Sequence, residues 1–263
     1  MATRTSSRGA SSQRVVAIDI GHSFVRAVEI QSGSEPRVLK RGQSNVPTGL
    51  WEDLHAHRDA LSQAIRAALS AGGITATQVS ASLPRRLVTV KMARLPHAPP
   101  EAEKGMVRME AQRYGPFPLE EVVLDHQVMS DDDDDMMTVM IAAARLELVE
   151  ELMTAFDKAG VEVIHLAVSA LALAEHANGI AAPVGLVRVD GPEVDMAAVN
   201  GGRLLFSRAA LAESTYGSGN DAIPSEVIRS LAAYQNENRS HPISRLLISS
   251  DNKTVQSIAS ALA

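Results

Sequence analysis

A chain of 263 residues that is 45% hydrophobic and 21% charged can bury a large core, as one big domain or as two lobes, and is not a disordered protein. With no cysteine it has no disulfide, thiolate nucleophile or cysteine-ligated zinc, and its longest candidate apolar run, residues 136–144, falls well short of the roughly 20 residues a spanning helix needs. The net charge is −6, but Arg4, Arg8 and Arg14 stand in the first fourteen residues without an acid, so the body carries 22 minus 31, or −9; with only 3% aromatics, this disfavours a broad phosphate-backbone surface and argues against nucleic acid as a partner.

Residues 1–14, rich in Ser, Thr and Arg and lacking an apolar stretch, predict a disordered leader, although a transit peptide has a similar composition. Residues 14–20, 24–31 and 36–44 follow as three short β-rich runs separated by Gly21-His22-Ser23 and Ser32-Gly33-Ser34. Residues 52–71 place Leu54, Leu61, Ile65, Ala68 and Leu69 at helical spacing, Gly72-Gly73 ends that helix, and residues 79–83 read as a strand.

A different segment comes next. Residues 86–95 predict a strand, 100–114 a helix, 122–130 and 136–144 two strands around Asp131 to Asp135, and 146–159 a helix with Val149, Leu152, Met153 and Phe156 on its apolar face. A strand over 162–169 and an alanine-rich helix over 170–178 resume the first pattern.

The last eighty residues repeat the opening order. Strands are predicted over 184–189, 194–200 and 203–207, the last two joined at Asn200-Gly201, then a helix over 223–238 with Val227, Ile228, Leu231 and Tyr234 inward, a strand over 245–248 and a helix over 253–262. Both halves therefore read βββαβα. The expected α/β architecture is two lobes on this duplicated unit: 15–84 with 162–179 as the first lobe core, 85–161 as an α/β subdomain inserted into it, and 180–263 as a shortened second lobe.

The chemistry is concentrated in the turns. A strand ending in Asp19-Ile20-Gly21-His22-Ser23 and doubling straight back has phosphate-loop character: turn amides can cradle an anion, Gly21 permits close approach, and Asp19 can hold hydrated magnesium. Any hairpin can contain Asp and Gly, so this turn alone is weak. Its counterpart is Asp190-Gly191, and two such turns facing each other would grip a nucleotide triphosphate.

The stretches VVAIDIGHSFVRAVEI, LPHAPPEAEKGMVRMEAQRYGPFPLEEVVLDHQV, GGRLLFSRAAL and EVIRSLAAYQNENRSHPISRLLIS carry a resemblance. They resemble the type IV pilus assembly protein PilM family, relatives of the cell-division protein FtsA in the actin-like ATPase superfamily, whose fold is ribonuclease H-like. The likeness covers most of residues 15–263, and the insert is its most discriminating part. It implies a first phosphate site at Asp19, Gly21, His22, Ser23 and Arg26, a second at Asp190 and Gly191, and magnesium held through water by Asp19 and Asp190. Arg229 and Ser230 would lie near the nucleoside, Ser249 and Ser250 in the adenosine turn, and Lys253 against the base. The resemblance also implies ATP as cofactor and a cytoplasmic place at the inner membrane, gripping the amino-terminal tail of a PilN-like membrane protein.

The departures fall on the nucleotide side. His22 adds bulk beside the first turn, Pro192 removes an amide after the second, and Ser249-Ser250 replace the usual Gly-Gly. The region between Glu213 and Ala222 is shorter than in the family, and the chain stops at Ala263 where the family continues, as a fragment or reduced member would. The expectation is a retained groove without ATP turnover, and no catalytic residue is assigned.

Other features read as structural. Asp131 to Asp135 lack the spacing of a calcium loop and predict a solvated hairpin tip, His55 and His57 diverge on a helix, and Met136, Met137 and Met140 read as core. Tyr114 and Phe117, flanking Gly115-Pro116, form a rigid aromatic turn against which a partner tail can lie, with packing as the alternative. The expected role is a scaffold of a type IV pilus or related secretion machine; the rivals are a small-molecule kinase or ATPase of the same superfamily and a ribonuclease H-like nuclease.

Overall fold

The computed structural model describes residues 13–33, 35–114, 117–131, 135–177, 180, 182–212 and 221–262. In chain order the regular elements are β1 (Arg14–Ile20), β2 (Phe24–Gln31), β3 (Arg37–Asn45), α1 (Leu54–Ala71), β4 (Gln78–Leu83), β5 (Val88–Pro96), α2 (Pro100–Tyr114), β6 (Val122–Asp131), β7 (Met136–Arg145), α3 (Leu146–Ala159) and β8 (Glu162–Val168). After these come α4 (Ser169–Ala174), β9 (Val184–Asp190), β10 (Glu193–Asn200), β11 (Arg203–Leu211), α5 (Ala222–Glu237), β12 (Arg245–Ser249) and α6 (Asn252–Leu262). They fall into two compact units, one drawn from Met1–Ile20, Phe24–Ser82 and Met153–Leu166, the other from Gly21–Ser23, Leu83–Leu152 and Ala167–Ala263.

The first unit is built on a five-stranded sheet of order β3-β2-β1-β4-β8. Alternation along β1 and β2 buries Val16, Ile18, Ile20, Val25 and Ala27, and α1 buries Leu61, Ile65 and Ala68. The helix begins at Leu54 rather than residue 52 because the Asp53 carboxylate caps it, accepting from the Ala56 amide at 2.9 Å. Gly42 in β3 lets strand and helix meet backbone to backbone: a β-carbon there would stand 2.0 Å from the Ala68 carbonyl oxygen.

The second unit holds two sheets. One has the order β11-β10-β9-β12, antiparallel between β11, β10 and β9 and parallel between β9 and β12. This repeats β3-β2-β1-β4, where β1 likewise pairs antiparallel with β2 and parallel with β4. The βββαβα duplication thus extends from element order to strand pairing. β10 is buried on both faces: Ala197 and Val199 join Val184, Leu186 and Leu204 on one side, while Val194, Met196 and Ala198 meet Val227, Tyr234 and Ile258 of α5 and α6 on the other.

The other sheet, of order β5-β7-β6, comes from the inserted segment. Its central strand is also apolar on both sides, with Met137, Val139 and Ile141 packed with Val107 and Ala111 of α2, and Met140 in the cluster of Val184, Leu186 and Leu204. Several boundaries differ from the sequence pattern. Arg85–Leu87 is a 3-10 turn rather than the start of β5, β11 runs four residues past Ser207, and α4 stops at Ala174 before a 3-10 turn over Glu175–Ala177. Ile228 does not point inward; at 42% exposure it lies one residue, about 100° around the helix, from the buried Val227.

Candidate functional site

Asp19 lies at the end of β1, opposite Arg26 on β2 and Ser82 on β4, a placement fixed by the strand registers. Its Oδ1 accepts from the Ser82 hydroxyl at 2.6 Å, and its Oδ2 stands 3.6 Å from Arg26 Nη1. Both carboxylate oxygens therefore have protein partners.

The next three residues and the Asp190-Gly191 turn form a shared piece of the second unit. The Ser23 amide donates to Asp190 Oδ2 at 3.3 Å, so the amide expected to receive a phosphate meets a carboxylate. Gly191 has φ +62, and a β-carbon on it would stand 2.4 Å from the Ser23 hydroxyl. That combination of left-handed backbone and contact explains why glycine stands here. The Pro192 carbonyl accepts from the Ala212 amide at 2.7 Å.

Behind the turn lies a charge cluster that the sequence reading missed. Glu193 is 1% exposed, accepts from Arg86 Nε at 2.7 Å, and has His22 Nδ1 3.9 Å away. Burial, reinforced by the neighbouring Asp195 and opposed by Arg86, pushes the Glu193 carboxyl up to about 7. Asp195 in turn receives Arg188 through Nη2 at 2.6 Å and Nε at 3.0 Å. The signal was present in Glu193-Val194-Asp195: two acids at period two opening an otherwise apolar strand, with two arginines after Pro84 to meet them.

Arg229 and Ser230 both turn to Glu226, which is 2% exposed: Arg229 Nη2 lies 2.6 Å and Arg208 Nη2 3.0 Å from its oxygens, and the Ser230 hydroxyl 3.4 Å. Ser249 ends β12 exposed, Ser250 is half-buried, and Lys253 is exposed in the first turn of α6. Asp251 rather than either serine organises this corner. It accepts from the Thr254 amide at 3.0 Å and hydroxyl at 2.9 Å, bonds that hold its carboxyl below the usual range.

The groups expected at the nucleotide are each engaged within their own unit. The Ser23 amide is bonded to Asp190, Ser23 fills the open side of Gly191, Asp19 is shared by Ser82 and Arg26, and Arg229 is paired with Glu226. Among the described residues, no group of three or more His, Asp or Glu side chains is placed to hold a metal ion.

Both aromatics singled out as a partner surface are exposed. Tyr114 is 47% and Phe117 40% exposed, with the Arg145 guanidinium 5.2 Å from the Phe117 ring centre and Lys91 Nζ 5.7 Å from that of Tyr114. Gly115 and Pro116 lie outside the described residues, as do Asp132 to Asp134 of the acidic run and residues 213–220 of the shortened stretch. Met137 and Met140 are core, as read.

The duplicated β3-β2-β1-β4 order places the chain in the actin-like ATPase fold class, the fold expected from the resemblance. A Bacteroides thetaiotaomicron protein with an actin-like ATPase fold and unknown function matches with TM-score 0.53 at 10% identity, covering 96% of this chain and 88% of that one. The cytoplasmic domain of EpsL, an inner membrane component of the type II secretion system of Vibrio cholerae, matches with TM-score 0.52 at 12% identity over 95% and 94%. A structure of the PilM-PilN type IV pilus biogenesis complex matches with TM-score 0.80 at 24% identity over 95% and 86%. The sequence model of the type IV pilus assembly protein PilM family matches residues 17–211, and the chain belongs to that family. No curated protein matches it.

Proposed function

We propose that this chain is a binding scaffold of a type IV pilus or related secretion assembly that grips the amino-terminal cytoplasmic tail of a PilN-like inner-membrane protein. The observation that carries the site is the pair of exposed rings, Tyr114 and Phe117, each beside a cation on the inserted sheet. Large exposed aromatics supply contact area at low entropic cost, and an extended tail can lie along them. Family membership and the resemblance to a PilM-PilN complex support a partner of this kind.

The protein works at the cytoplasmic face of the inner membrane through that partner; among the described residues no helix is long and apolar enough to cross a membrane. We propose two lobes, 15–84 with 162–179 and 180–263, with an insert over 85–161. ATP with magnesium stays a proposed conformational ligand; a phosphate at the Ser23 amide requires the Asp190 carboxylate to leave it first, and we assign no turnover. A kinase or nuclease reading gains no support from carboxylates already committed to Ser82, Arg26, Arg208 and Arg229.

The test is a labelled PilN-type tail peptide titrated against wild type and Phe117→Ala. Loss of a buried aromatic anchor costs about 2 kcal/mol or more, a drop of roughly thirtyfold in affinity. Undiminished binding by a folded Phe117→Ala protein removes this turn from the docking site.

A further inference from the structure

A cavity of about 550 Å³ within the second unit belongs to neither the turns nor the aromatic pair. Its walls include residues 89–92 of β5, 205–209 of β11 and the end of α5 at Ala233 and Glu237, and each strand is the outer strand of its sheet. Arg85 holds the two edges together at one end: Nη1 donates to the Val88 carbonyl at 2.6 Å, Nη2 to the Ser207 carbonyl at 2.8 Å, and Nε to the Ser207 hydroxyl at 2.7 Å. All three acceptors are neutral. A guanidinium is thus spent on bridging strands while its charge stays at the cavity wall.

The rest of the lining is cationic on balance. Arg86, Lys91 and Arg208 line it with Arg85, against the single acid Glu237. Glu193 and Glu226 pair with Arg86 and Arg208, which leaves Arg85 and Lys91 over Glu237. Burial lowers the Arg85 guanidinium to about 10, so it remains charged at neutral pH.

We propose that this cleft is a docking groove for an extended acidic peptide segment of a partner protein, added as a strand to the β5 or β11 edge with its carboxylates toward Arg85 and Lys91. Outer strands present backbone donors and acceptors to an incoming strand, which gives affinity without sequence, and the cations select for acid. A peptide rather than a small anion suits walls made of two strand edges. The groove shares Lys91 with the Tyr114 ring, but this reading does not require tail binding at Phe117.

The probe is a labelled peptide of roughly eight alternating Glu and Val residues, enough to span a typical strand, with its Lys-for-Glu counterpart as control. Wild type is expected to bind the acidic peptide in a salt-sensitive manner, not the basic one, and to slow amide exchange at residues 89–92 and 205–209. Lys91→Glu weakens binding and Glu237→Lys strengthens it, each by about five- to tenfold at low salt, as one charge near a partly exposed partner does. Both positions are exposed. Phe117→Ala leaves acidic-peptide binding unchanged, which separates this groove from the tail site. Absence of binding, equal binding of both peptides, indifference to the two charge reversals, protection elsewhere, or inorganic phosphate bound in the peptide's place overturns the proposal.

Discussion

Burying Glu193 beside Asp195 costs ionisation energy that Arg86, 2.7 Å away, offsets only in part. The consequence for stability has a definite sign. Between the ordinary value of 4.5 and the folded value of about 7, the folded protein keeps a proton that the unfolded chain has released. Stability from this group is therefore highest in the acid part of that window and falls as pH rises through it, by at most about 1.4 kcal/mol per pH unit. Glu193→Gln cannot titrate and should flatten that dependence, read by urea unfolding at several pH values between 5 and 8. Equal slopes for the two proteins refute a buried, protonating Glu193. The two acids of Glu193-Val194-Asp195 were legible as a pair on one face of β10, but their burial was not, because period-two spacing does not say that the face is inside.

Elements depend on close backbone approach as much as on apolar faces. Gly42 meets Ala68 and Gly72 backbone atoms that cannot swing aside, whereas Gly105 in α2 has open space around its Cα. Gly42→Ala should therefore force β3 from α1 and cost about 1–3 kcal/mol, the usual range for overpacking. Gly105→Ala should stabilise by about 0.5–1 kcal/mol, because alanine loses less backbone entropy in a helix. Thermal melts of the two variants check the pair of opposite signs. At this scale most elements were readable, since α1 and α3 carry helical periodicity and β1 and β2 carry alternation. The full length of β11 was not, because Arg208, Ala209 and Ala210 have little strand preference and are held by pairing with residues 194–196 of β10.

For the molecule as a whole, the turns decide whether nucleotide chemistry is part of its work. With the Ser23 amide on Asp190 and the Asp19 oxygens engaged, wild type is expected to release no phosphate from ATP and magnesium above the protein-free background, with or without tail peptide. A phosphate-release assay checks this, and steady turnover that Asp19→Ala abolishes would reverse the assignment. A scaffold that binds without turnover draws its specificity from surfaces, and both proposed surfaces involve the inserted sheet.

The sequence by itself determined the α/β class, the repeated βββαβα order and the inserted segment, because periodicity and turn residues are local properties of the chain. It also carried the likeness to the PilM family, since Asp-Gly turns and the Pro-bounded insert are written in consecutive residues. Only the tertiary structure decided what those residues meet: that Ser23 closes on Gly191, that Arg86 reaches Glu193, and that β5 and β11 line one cleft. These are pairings between residues many tens of positions apart, and no local pattern encodes which distant charge or strand edge a side chain will find once the core has closed.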